Sequence, residues 1–212
     1  ARQSSHRLPA EMVRDAALSI SGLLDTSVGG STSKPYQPTG YYQHLNFPTR
    51  RYHAHDDGRQ WRRGVYVHWQ RMFLHPMLKG FDAPSREECV AQRPQSNTPT
   101  AALTLLNDPT FVEAARVFAA RVLAEGGNAT DDRLNFAFRL ALSRGPDTNE
   151  RKIVTQLLDE SRTYYKDNPD KAEKLLNIGL VKPPTDIDKV ELASWTAIAR
   201  TMLNLNETIT RN

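Results

Sequence analysis

A single cysteine, Cys89, stands in the 212-residue chain. One thiol closes no internal disulfide and rules out a cysteine-rich zinc site. There is no Cys-x-x-Cys-His run, so the chain attaches no c-type haem covalently in the usual way. No stretch approaches the roughly 18 consecutive apolar residues of a membrane span. Glycine-rich phosphate loops, nucleophile elbows, internal repeats and low-complexity tracts are also missing. No charged-then-apolar leader opens the chain, so an export signal would have to lie on a longer precursor. Cys89 itself reads as a small buried apolar side chain, since no base or cationic group is evident to activate it.

Net charge is also scarce, at +4. Its distribution is uneven. Residues 1–100 carry 13 Lys/Arg against 8 Asp/Glu, and the rest carries 15 against 16. All six histidines, Trp61 and Trp69 fall in the same basic half. Such a half could attract an anionic partner by long-range electrostatics.

Residues 8–24 place Val13, Ala16, Ala17, Ile20, Leu23 and Leu24 at helical spacing. Residues 25–60 are punctuated by Pro35, Pro38, Gly40, Pro48 and Gly58 and carry Tyr36, Tyr41, Tyr42, Phe47 and Tyr52. A long loop strapped across helices would bury these rings and keep their hydroxyls paired. Residues 59–73 (RQWRRGVYVHWQRMF) fit both periods, and the spacing of Trp61, Val65, Trp69 and Met72 favours a helix. Residues 74–97 read as irregular.

From Thr98 onward the punctuation is dense. Asn97-Thr98-Pro99 and Asn107-Asp108-Pro109 are helix-start chemistry, with the cap followed by proline at the first helical position. The expected helices run 99–107, 109–125, 131–143, 148–166 and 169–176, and Thr185 with Asp188 opens a last one. Gly126-Gly127 stops the second, and Asp147 with Glu150 suits a capping box. The second half therefore reads as a helical scaffold, and a site is expected in the first half or where the halves meet.

The segments LPAEMVRDAALSISGLL (8–24), KPYQP (34–38), RRGVYVHWQRMFLHP (62–76), FDAPSREEC (81–89), RPQSNTPTAALTLLNDPTFVEAAR (93–116), FRLALSRGPDTNE (138–150) and LNLNET (203–208) occur in this order. Together they resemble the C-terminal domain of large planctomycete proteins that carry cytochrome c-like modules upstream, a domain of unknown function. The resemblance implies export to the periplasm or another extracytoplasmic space. It also implies association with cytochrome-like partners in an electron-transfer complex, with haem in those modules and no cofactor in this chain. It supplies no catalytic residues. It makes residues 1–212 one domain, the C-terminal part of a larger family domain, with a loop-rich basic half (1–97) and a helical half (98–212).

Two local constellations carry candidate chemistry. His53 and His55 can face the same way on an extended backbone, and Asp57 would add an oxygen ligand, a set that suits zinc, iron or copper. The plain alternative is a solvated polar loop. Trp61, Arg62, Arg63, Tyr52 and His68 mix aromatics with cations, which suits stacking on, and fork-like bonding to, an anionic glycan. Arg50, Arg51, Arg59 and Arg71 add to that charge. The plain alternative puts the tryptophans in the core and the arginines on tyrosines. Mild charge and export disfavour nucleic acid. Asp82 and Ser85 read as turn or cap residues, with Arg86 an ion-pair partner nearby.

The expected fold is mainly α, an irregular helical domain with long Pro/Tyr-rich loops in its first half and a bundle-like second half. The expected function is a non-catalytic structural or interaction module of an exported, cytochrome-associated assembly. The alternative is an anionic polysaccharide-binding or polysaccharide-processing module.

Overall fold

The computed structural model describes residues 6–43, 51–71, 73–96 and 98–211. Phe47, Pro48, Arg50, Met72 and Asn97, which enter the expectations above, lie outside the described residues. The architecture is mainly α-helical, as the patterning predicts. Helix α1 (Ala10–Ser21) starts after Pro9 and stops at Gly22, whose φ of 87° only glycine adopts cheaply. The periodic stretch is thus trimmed at both ends.

The caps of the second half act as expected. Thr98 opens α3 (Pro99–Asn107), and Asp108 opens α4 (Pro109–Glu125) by accepting from Thr110 N. Asp147 and Glu150 form a reciprocal capping box on α6 (Thr148–Asp167), satisfying two otherwise orphaned donors. Between them lies α5 (Thr130–Leu142). Then follow α7 (Pro169–Leu176) and α8 (Lys189–Leu203); α8 is capped by Asp188 itself, three residues after the expected opening at Thr185. Less foreseen are α2 (Pro76–Gly80), α9 (Asn206–Ile209) and an antiparallel pair, β1 (His6–Arg7) with β2 (Thr210–Arg211).

One buried cluster draws on both halves of the chain. Leu18 of α1 and Met77 of α2 join Phe111 and Phe118 of α4, Leu134 of α5, Leu158 of α6 and Trp195 of α8. Burying each such side chain is worth about 1.5–3 kcal/mol. Helix α4 lies between α1 and α8, and its residues from Thr110 to Arg116 are all buried. A helix buried nearly all round must pair any charge it carries. That requirement builds the centre described below.

The helix expected over 59–73 does not form. Two short 3₁₀ turns, Gly58–Trp61 and Gly64–Tyr66, alternate with extended backbone. Single bridges join Asp25 to Arg62 and Ser33 to Val67. The reason is non-local. The buried guanidinium of Arg14 on α1 donates to the carbonyls of Gln60 and Arg62, which a helix would need for its own ladder. Gly64 is pressed so close to α1 that an added Cβ would lie 2.6 Å from the Glu11 carbonyl oxygen. The expectation of a buried thiol fails too, because Cys89 is exposed. Asp82 does serve a turn, at φ 56°, accepting from Ser96 N and pairing with Arg7. Arg86 stacks 3.9 Å over the Trp69 ring instead of meeting a carboxylate.

Candidate functional site

Among the described residues, 25–43 and 51–60 form the strap that the tyrosines suggested, continued by 61–69, and the hydroxyls of Tyr36, Tyr41, Tyr52 and Tyr66 are paired. Tyr41 donates to Leu74 O and Tyr52 to Pro35 O, while Tyr66 accepts from Gly29 N. Tyr36 reaches further, donating to Oε2 of Glu113 on α4 at 3.0 Å.

Glu113 is the meeting point of the two halves. It is 1% exposed. Its Oε2 also accepts from Trp61 Nε1 at 3.2 Å, and its Oε1 accepts from the main-chain N–H groups of Leu180 and Val181 at 2.6 and 2.7 Å. Four donors from two separate loops therefore close on one carboxylate. Arg116, one turn along α4, donates to Val181 O and adds positive charge nearby. Burial and the adjacent Glu113 carboxylate raise the Tyr36 pKa, so its hydroxyl stays a donor. Gly179, at φ 93°, lets the loop approach closely, since an added Cβ would lie 2.3 Å from Glu113 Cδ. Glu113 was not singled out from the sequence. Its signal was there: a carboxylate in a helix whose neighbours Phe111, Val112, Ala114 and Ala115 are apolar on every side.

The structure disperses the two candidate sets. His55 Nδ1 accepts from Lys34 N at 3.1 Å, so that nitrogen is occupied by main chain. Asp57 caps the first 3₁₀ turn and grips Arg59 through both oxygens, which holds its pKa down near 2. His53 is exposed. Among the described residues no group of three or more His, Cys, Asp or Glu side chains is placed to hold a metal ion. Of the binding set, Trp61 and Tyr52 point their polar atoms inward as just described. Arg62 is buried, donating to Gly29 O and Ser31 O and stacking 4.0 Å over Tyr66. His68 is half-buried, with its main-chain N–H on Ser33 O, and Arg63 is exposed.

A buried imidazole pins the strap from below. His75 accepts from Met77 N at Nδ1, which makes Nε2 the donor to Tyr36 O at 2.8 Å. Protonation would set two N–H groups against each other at Nδ1. Burial lowers its pKa from 6.5 to about 4, and nearby Arg14 pushes the same way. A lowered histidine pKa gives stability that is complete above about pH 6.5 and lost as pH falls toward 4. Half-buried Asp108, pushed up to about 6 by burial, has the opposite slope over part of that window. The difference in unfolding free energy between wild type and His75→Gln isolates the histidine. It should widen by about 3 kcal/mol between about pH 4 and pH 7. A pH-independent difference, by urea melts, would exclude this role for His75.

One open feature remains on the strap. A cleft of about 420 Å³ lies between residues 37–43 and 51–54, lined by Gln37, Tyr41, Tyr42, Arg51, Tyr52 and His53 among others. Its rim turns at Gly40, φ 80°, where Gln43 N donates to the Gly40 carbonyl. Tyr41, Tyr42, Tyr52 and Phe73 pack edge to face around it, with centroids 5.4–6.1 Å apart.

A family model named PSD1, described as a protein of unknown function (DUF1553), matches residues 1–158. No curated protein and no solved structure matches the chain.

Proposed function

Because the chain belongs to the PSD1 family of proteins of unknown function, we propose that it acts as a non-catalytic interaction module of an exported, cytochrome-associated assembly. The observation that carries this reading is the internal pairing of its charged groups. Glu113, Arg14, Arg62, Asp82 and the Asp57–Arg59 pair all meet partners within the strap and scaffold. Groups held this way fix a rigid surface, which suits docking, where preorganisation lowers the entropy lost on binding. In this reading haem resides in the partner modules, and the domain positions them for electron transfer in the periplasm or another extracytoplasmic space. No helix among the described residues is long and apolar enough to cross a membrane.

Native mass spectrometry with a visible spectrum, on the complex isolated from its source, tests the proposal. A larger assembly with a haem Soret band is the expected result. A lone, colourless chain would count against it.

One observation favours a second reading, binding of an anionic polysaccharide. The tyrosine-lined cleft contains Arg51 and His53 and no carboxylate among its described lining residues.

A further inference from the structure

The cations of the basic half fall into two groups. Arg7, Arg14, Arg59, Arg62 and Arg93 are held by carboxylates or carbonyls. Arg51 is exposed, has no hydrogen bond or ion pair among the described residues, and lines the cleft. The whole stretch from Gln37 to Ala54 contains no Asp or Glu. A negative group entering the cleft therefore meets a cation and no carboxylate among the described lining residues.

A second feature has a different chemistry. Gln37 contributes to the cleft wall, and its Oε1 is buried with no hydrogen-bond partner among the described residues. That oxygen is closed to solvent, so Gln37 gives the cleft wall rather than a bond to a ligand. The third feature is shape. The walls are tyrosine rings whose hydroxyls at Tyr41 and Tyr52 already bond main chain. What these two offer the cleft is aromatic carbon, which accepts the apolar C–H face of a flat polar ring. The volume lies in the roughly 300–1,000 Å³ range of small-ligand sites.

We propose that this cleft is a subsite for an anionic sugar unit, in which the ring lies against the tyrosines and Arg51 with His53 takes the carboxylate or sulfate. The inference rests on the second reading above and gives it a place. It moves the binding residues away from Arg62, Trp61 and Tyr52's hydroxyl, which the fold uses internally, and onto Arg51 and His53. Arg51 supplies fork-like donors that match either anion.

Isothermal titration of the full chain at low salt tests this, with a galacturonate tetramer, a sulfated galactose tetramer and a neutral galactose tetramer as probes. One or both charged probes should bind, and the stronger of them identifies carboxylate or sulfate as the preferred anion. The neutral tetramer should bind at least about tenfold more weakly. Arg51→Ala should weaken charged binding by about tenfold or more, Arg51→Lys by less, and Arg63→Ala should leave it unchanged. Arg51 is exposed and makes no hydrogen bond or ion pair among the described residues, so these variants should keep the wild-type melt. If neither charged probe binds, both the polysaccharide reading and the subsite fall. If a charged probe binds but Arg51→Ala binds as tightly as wild type, the subsite falls and the polysaccharide reading stands. Equal binding of the neutral probe overturns the anionic class.

Discussion

Glu113→Ala is expected to destabilise the fold by about 3–5 kcal/mol, which for a chain of this size lowers the melting temperature by about 10 °C. The truncation leaves four donors without an acceptor: Tyr36 Oη, Trp61 Nε1 and the N–H groups of Leu180 and Val181. It also leaves Arg116, 1% exposed, without the carboxylate beside it. Each stranded buried donor costs about 1–3 kcal/mol before relaxation. Glu113→Gln should lose less. Its amide oxygen can still accept from the two main-chain N–H groups, while its amide NH₂ opposes the Trp61 N–H. Thermal melts with Trp61 emission as a second probe would check the order wild type, Gln, Ala. A drop under about 1 kcal/mol for Ala would mean that the four bonds are not made together.

Arg14 should rank second. It is 0% exposed, and burial lowers its pKa to about 10. Even so it stays charged at neutral pH. Its guanidinium spans the carbonyls of Gln60 and Arg62 from beneath, setting the path of the strap. Arg14→Met keeps most of the volume and removes both donors, so about 3 kcal/mol should be lost. Arg14→Lys should recover only part of this, because one ammonium cannot reproduce the flat fork. Urea unfolding reports the loss as a lower midpoint at unchanged slope. Limited proteolysis adds a local readout, with cleavage expected to rise first between residues 58 and 66. A Met variant as stable as wild type would show that the strap path does not depend on Arg14.

These two side chains also mark the limit of what the sequence disclosed. The helices after Thr98 were legible because their signals are local. Thr98-Pro99, Asp108-Pro109 and the Asp147/Glu150 box each act within four residues. The end of α1 was less legible: the apolar spacing runs on to Leu24, whereas Gly22 at positive φ stops the helix after Ser21. The stretch 59–73 misled because its apolar spacing is real while its backbone is claimed by Arg14, 46 and 48 residues away. Periodicity reports which face is buried, not which distant group holds a carbonyl. The paired tyrosine hydroxyls followed from amphipathic chemistry.

The candidate site shows the same division. A basic, aromatic first half was readable from composition. Which arginines stay available was not, since Arg62 and Arg51 look alike in sequence and differ only in partners that folding supplies. Glu113 escaped notice because it lies on the half that reads as scaffold, although a lone carboxylate on an otherwise apolar helix is a usable sign of a buried polar centre.

The central claim is that the strap is a rigid part of the scaffold, latched at Glu113, rather than a loose covering loop. Native-state hydrogen exchange measures this directly. The amides of Ser33, His55 and His68, which bond Tyr66 O, Lys34 O and Ser33 O, should be protected together with those of α4 and α8 in the wild type. In Glu113→Ala they should lose protection before α8 does. Strap amides that exchange freely in the wild type, while α8 stays protected, would contradict the account.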